Sequence, residues 1–212
     1  MKQRLRKNGV VPVVKINDAE KAVPLARALL EGGLDVIEIT FRTDAAAEAI
    51  GRIKKEVPEM LLGAGTVLTL ANLEKAVAAG VDFVVSPGFN PKIVDRCLEL
   101  KLPVFPGVVT PTEIEAAMDR GLTSLKFFPA EASGGIAMLK ALSAVYEVDF
   151  MPTGGIGPKN LEDYLALPKV ACIGGSWLVK SGLIDGGQFN EITRLTREAV
   201  KLVKDARGTK DV

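Results

Sequence analysis

The chain has 212 residues, 48% hydrophobic and 25% charged, ordinary proportions for a globular protein and enough for one large domain or two small ones. Its 27 basic and 26 acidic residues leave a formal net charge of +1, which offers nothing to a nucleic acid or an anionic membrane surface. There is no histidine, so the commonest general base and the commonest metal ligand are both excluded from its chemistry.

The amino terminus, Met1-Lys2-Gln3-Arg4-Leu5-Arg6-Lys7, is basic. The apolar stretch behind it contains Pro12 and runs straight into Lys15, too brief for the core of a secretory signal. No later segment approaches the length of a membrane span, and the expectation is a soluble cytoplasmic protein. Cys97 and Cys172 form no CxxC pair and read as free thiols packed in the interior, which suits a reducing compartment.

From there short apolar runs alternate with amphipathic stretches. Runs at 10–16, 36–41, 61–67 and 83–87 precede helical patterns over 18–32, 45–56, 70–80 and 91–100. Runs at 103–108, 124–129, 149–153 and 171–177 precede patterns over 111–120, 135–145, 160–167 and 189–206. Asn17-Asp18, Pro91 and Pro111 mark helix starts, and Gly32-Gly33, Gly80 and Gly121 mark helix ends. No linker interrupts the series, so residues 1–212 read as a single domain. Eight strand–helix units predict an α/β protein built as a compact (β/α)8 TIM barrel. The rival is an open doubly wound sheet. Its dinucleotide fingerprint is missing, because Gly63-Ala64-Gly65-Thr66-Val67-Leu68 has leucine where the third glycine belongs.

A barrel of this kind places its site at the carboxyl ends of the strands, where the polar and glycine residues of this chain collect. Lys126 stands alone in the apolar run Ser124-Leu125-Lys126-Phe127-Phe128-Pro129. A lysine withdrawn from water favours the neutral amine, which can condense with a carbonyl to a Schiff base. The same pattern also suits a lysine that reaches out and keeps its head wet. Side chains alternate along a strand, so Glu38, Thr40 and Arg42 share one face, and Lys126 shares one with Phe128. Glu38 reads equally as an ion-pair partner for Arg42 or as a buried general base. Arg42 is either a strand-end surface residue or a planar fork for a carboxylate, and Thr66 either begins a loop or helps to hold that carboxylate.

Thr153-Gly154-Gly155 and Gly174-Gly175-Ser176 follow the seventh and eighth runs, where bare backbone N–H groups commonly hold a phosphate in this fold. Turn-making glycines would explain one pair more readily than both. Lys15 competes with Lys126, but Asn17 and Asp18 close by make it read as a solvated strand-end charge. Met118, Met138 and Met151 read as packing, and Trp177 as a barrel-wall aromatic.

Six ordered motifs carry a resemblance: Val36-Ile37-Glu38-Ile39-Thr40-Phe41-Arg42-Thr43, Gly63-Ala64-Gly65-Thr66-Val67, Ser86-Pro87-Gly88, Leu125-Lys126-Phe127-Phe128-Pro129-Ala130-Glu131, Pro152-Thr153-Gly154-Gly155-Ile156 and Gly174-Gly175-Ser176-Trp177. Together they resemble the 2-keto-3-deoxy-6-phosphogluconate (KDPG) aldolase family, also described as 4-hydroxy-2-oxoglutarate (KHG) aldolase. The resemblance implies a class I aldolase with no metal and no cofactor, a homotrimer whose partners are small molecules rather than nucleic acid or membrane. It implies cleavage of 2-dehydro-3-deoxy-6-phosphogluconate to pyruvate and glyceraldehyde 3-phosphate, with 4-hydroxy-2-oxoglutarate as a further substrate giving pyruvate and glyoxylate.

By the same resemblance Lys126 is the Schiff-base lysine and Glu38 the acid/base carboxylate. Arg42 and Thr66 match contacts to the pyruvate carboxylate, and Pro87 and Phe128 line its pocket. Gly154, Gly155, Gly175 and Ser176 match a phosphate site, and Thr153 a position linked to stereochemical preference. The lead before the first strand looks short beside relatives that carry an extra helix there, which leaves the cap of the barrel bottom in question. The alternatives are a phosphosugar isomerase or epimerase on the same barrel and a non-catalytic phosphosugar-binding module.

Overall fold

A computed structural model describes residues 1–208, so the end of the domain expected over 1–212 lies outside the described residues. Apolar and β-branched residues form the short strands β1 (Val10–Val14), β2 (Val36–Thr40), β3 (Leu61–Gly65) and β4 (Phe83–Val85). The next apolar run is split at Pro106 into β5 (Val104–Phe105) and β6 (Gly107–Val108), because proline has no N–H to give a ladder. The Pro106 carbonyl still accepts from the Lys126 N–H at 2.9 Å, which hands the chain over to β7 (Ser124–Phe127). The last strands are β8 (Asp149–Pro152) and β9 (Ile173–Gly175).

All strand pairs are parallel, in a six-stranded sheet of order β5-β4-β3-β2-β1-β9 and a three-stranded sheet of order β6-β7-β8. Neighbours follow chain order and the first strand pairs with the last, so the sheet curls. The order has no point of reversal, which the doubly wound alternative requires. Single bridges, Phe150 to Val170 and Thr153 to Gly174, join the β8 and β9 segments. The architecture is thus an α/β fold with parallel strands in a curled sheet. Regular pairing stops short of an unbroken eight-stranded ring, because Pro106 interrupts one strand and β8 meets β9 through isolated bridges alone.

Among the described residues ten α-helices accompany the strands: α1 (Lys2–Asn8), α2 (Ala22–Gly32), α3 (Ala46–Glu56), α4 (Leu70–Ala79), α5 (Pro91–Glu99), α6 (Pro111–Met118), α7 (Gly135–Val145), α8 (Leu161–Leu165), α9 (Ser181–Asp185) and α10 (Phe189–Arg207). None is long and apolar enough to cross a membrane. Strand alternation makes two cores. Val10, Val14, Ile37, Ile39, Leu62, Leu125 and Phe127 pack against the helices. Val11, Val36, Leu61, Phe83, Val85, Phe105, Met151 and Cys172 fill the inside of the curl, where Phe83 and Phe105 meet edge to face at 5.7 Å.

The short amino-terminal lead does carry a helix. Seven residues are too few for a helix to stand alone in water. α1 is held by tertiary contacts: Leu5 joins the inner core, Arg4 Nε donates to Asp35 at 2.9 Å, and Asn8 donates to the same carboxylate at 2.6 Å.

Candidate active site

Glu38 is central to β2. Val36 and Glu38 face the inside of the curl, Ile37 and Ile39 face the helices, and the Glu38 side chain is 0% exposed. Room for it comes from β3, where Glu38 lies beside Gly63 and Thr40 beside Gly65. A Cβ on Gly65 would sit 2.2 Å from Glu38 Oε1, and one on Gly63 would sit 2.3 Å from the Phe83 ring. The alternation Gly63-Ala64-Gly65 therefore has a steric cause: Ala64 faces the helices, while the inner positions must be bare.

Lys126 enters the same space from β7. Its neighbours Leu125 and Phe127 pack against the helix layer, and Lys126 itself is 5% exposed, which rules out a solvated head. Its Nζ lies 3.6 Å from Glu38 Oε1 and 5.1 Å from the centre of the Phe128 ring. The ionic partner of Glu38 is therefore Lys126 and not Arg42. A charge pair built for stability closes to about 2.7–2.9 Å. This one is looser, and among the described residues none donates a hydrogen bond to either Glu38 oxygen. A buried carboxylate with no hydrogen-bond donor is unfavourable. Chemically, the pair sets a nucleophile beside a proton acceptor.

Arg42 lies two residues beyond the end of β2 and is exposed, because the strand stops before its face of the sheet can hold it. It lines a cleft of about 280 Å³ with Asp44, Asn72 and Lys75. Phe41 N–H donates to the Gly65 carbonyl at 2.8 Å, which ties the approach to Arg42 to the residue before Thr66. Thr66 is half-buried at φ 55°, a left-handed conformation that a β-branched residue adopts at a cost of about 1–3 kcal/mol. Held strain of that kind collects at ligand sites.

Pro87 is half-buried, and its carbonyl lies against Gly107, where a Cβ would approach it to 2.0 Å. Thr153 is buried, and its Oγ1 lies 2.3 Å from where a Cβ on Gly174 would be. Gly154 and Gly155 have φ of 104° and 80°, Gly175 is covered by the Trp177 ring, and Ser176 is exposed. Lys15 is partly buried rather than fully solvated, and Met118 is exposed rather than packed. Glu38, Lys126, Phe128 and Gly65 thus meet directly, Thr153 meets Gly174, and Arg42 lies exposed just past the end of β2. Sequence reasoning missed Gly65 and Gly107 as clearances. Their signal was present as glycine at inner strand positions, but which neighbour needs the space is a tertiary fact.

A family model for KDPG and KHG aldolase matches residues 1–195. A 2-dehydro-3-deoxy-phosphogluconate aldolase of Haemophilus influenzae is 48% identical over 203 residues, covering 95% of this chain and 96% of the relative. The crystal structure of a KDPG aldolase from Legionella pneumophila, with pyruvate captured at low pH as a covalent carbinolamine intermediate, is similar with a TM-score of 0.90 at 41% identity, over 94% of this chain and 98% of that one. The KDPG aldolase of Zymomonas mobilis ZM4, solved with 3-phosphoglycerate, gives a TM-score of 0.88 at 42% identity, over 94% of each chain. Fold, family model and relatives together define a carbon–carbon lyase of the class I aldolase type. More particularly, the chain belongs to the KDPG and KHG aldolase family.

Proposed function

We propose that this protein cleaves 2-dehydro-3-deoxy-6-phosphogluconate to pyruvate and glyceraldehyde 3-phosphate through a Schiff base on Lys126. The observation that carries the reading is the buried Lys126–Glu38 pair, 3.6 Å apart, with no hydrogen bond from the described residues to either carboxylate oxygen. The covalent carbinolamine of pyruvate in the Legionella pneumophila relative supports it.

The Lys126 amine attacks the C2 ketone, and loss of water gives an iminium that can accept an electron pair. Glu38 takes the C4 hydroxyl proton, through a water or directly, and the C3–C4 bond breaks to release the aldehyde. The pyruvate enamine left on Lys126 is protonated at C3 and hydrolysed. Phe128 covers the amine and stabilises cationic nitrogen through its ring face. Arg42 and Thr66 hold the pyruvate carboxylate, with Pro87 lining the same pocket, so that the breaking bond lies along the iminium π-system. Gly154, Gly155, Gly175 and Ser176 receive the phosphate, and Thr153 meets the chiral hydroxyls. The 3-phosphoglycerate in the Zymomonas mobilis structure supports a phosphorylated ligand. 4-Hydroxy-2-oxoglutarate is a second substrate, cleaved to pyruvate and glyoxylate by the same steps.

We read the curled sheet as a single-domain (β/α)8 barrel, with β5 and β6 sharing one strand position and β9 closing on β8. The enzyme is a cytoplasmic homotrimer in this reading. Borohydride reduction in the presence of pyruvate is expected to label Lys126. Labelling at Lys15 alone, or at no lysine, would reject the proposal. Since the iminium serves as electron sink, EDTA is expected to leave pyruvate release unchanged.

A further inference from the structure

The motif that carries Lys126 ends in Glu131, which the reaction above does not use. Its carboxylate accepts a hydrogen bond from the Tyr164 hydroxyl, and Tyr164, on α8, is 0% exposed. Burial and then the bond to Glu131 raise the phenol above its ordinary range, so the hydroxyl remains a donor across the working pH range.

Three contacts, one from Ala130 and two from Glu131, join this segment to the proposed phosphate loop. Ala130 N–H donates to the Thr153 carbonyl at 2.8 Å, and Glu131 N–H donates to the Gly154 carbonyl at 3.1 Å. A Cβ on Gly155 would lie 2.6 Å from Glu131 Cγ, so the side chain lies directly against that glycine. On its other side, a Cβ on Gly135 would lie 3.1 Å from Glu131 Oε1 and 3.3 Å from the Tyr164 hydroxyl. Gly135 begins α7, an eleven-residue helix whose amino end favours a carboxylate. Glu131 is exposed on its outer side, and its inner side lies against Gly135, Gly155 and Tyr164.

We propose that Glu131 and Tyr164 are a positioning pair that holds the Gly154-Gly155 loop at a fixed place relative to the strand carrying Lys126, and so sets the preference for phosphorylated keto acids. This rests on the aldolase reading. A carboxylate lying free beside a phosphate loop would repel its ligand. Bound to Tyr164 at the head of α7, its charge is offset and its shape becomes the support of the loop. Backbone donors bind an anion well only when they are already in place. Pyruvate carries no phosphate, so its condensation with Lys126 does not draw on this support.

Tyr164→Phe removes the donor, and Glu131→Gln keeps an acceptor for it. Steady-state cleavage of 2-dehydro-3-deoxy-6-phosphogluconate is compared with the rate of pyruvate-dependent borohydride trapping. Tyr164→Phe is expected to raise KM for the phosphorylated acid about tenfold, Glu131→Gln a smaller amount, with trapping held within about twofold in both. Equal losses in both assays, or no change in either, overturn the proposal. If Tyr164→Phe fails to fold by circular dichroism, Glu131→Gln decides by the same comparison, and failure of both to fold assigns the pair to stability and overturns it. A wild-type enzyme that neither traps pyruvate nor cleaves the acid defeats the aldolase reading and this inference together. A wild type active in both assays, with unselective variants, defeats this inference alone.

Discussion

A single methyl group at position 65 would compete with the Glu38 carboxylate for the same volume. The clash, at 2.2 Å, falls on a fully buried side chain flanked by strands, so neither party can move away cheaply. Gly65→Ala is therefore expected to lower pyruvate release roughly a hundredfold by displacing the carboxylate about 1 Å, while overpacking destabilises the fold by about 1–3 kcal/mol. Urea denaturation beside the activity assay separates the two effects. Glu38→Gln fits the same space and is expected to slow cleavage far more than it weakens pyruvate binding. Equal losses would make Glu38 a structural residue. Only part of this was legible beforehand. Alternation put Glu38 on one face with Thr40 and Lys126 on one with Phe128, because a period of two needs no tertiary knowledge. Which face turns inward is set by the curl of the sheet. The alternation also offered Arg42 as the partner of Glu38, and that failed because β2 ends at Thr40. The true partner lies on β7, far off in sequence, and curvature of the sheet brings it near.

Helix starts were read well where a side chain enforces them. α6 opens on Pro111 with a reciprocal cap: Glu113 Oε2 accepts from the N–H groups of Val109 and Thr110, each at 2.8 Å, and from the Thr110 hydroxyl at 2.9 Å. Partial burial pushes the Glu113 carboxyl upward, but these three donors outweigh it and hold the group below the usual carboxylate range. A carboxyl lowered on folding stabilises the protein above its unfolded pKa of about 4.3, and that contribution fades as pH falls through the folded value. Glu113→Gln is expected to cost about 1 kcal/mol at neutral pH, with the gap from wild type narrowing under acid. Urea midpoints measured at neutral pH and near pH 3 check both the size and the sign. Among the short helices, α8 matches the pattern over 160–167, but α1 and α9 were not legible. α1 has one inward apolar residue, Leu5, and α9 spans five residues, so neither offers a hydrophobic period to detect.

Across the whole molecule, the two cysteines report on the two core layers separately. Burial pushes the Cys97 thiol up to about 11 and the Cys172 thiol up to about 12. Alkylation needs the thiolate and access, so both are expected to resist iodoacetamide in the native protein at neutral pH. Cys97 packs between sheet and helices, whereas Cys172 lies inside the curl and lines a small cavity with Leu5. α1 thus closes the end of the inner core that faces away from Glu38 and Lys126. Leu5→Ala removes the buried anchor of a helix too short to persist alone, and is expected to destabilise the protein by about 2–5 kcal/mol. If α1 opens as a local unit, Cys172 becomes reactive before Cys97 does. Mass spectrometry of timed alkylation in Leu5→Ala should then show label gathering at Cys172 first. Equal rates at both thiols would mean that the inner core opens only when the entire fold is lost.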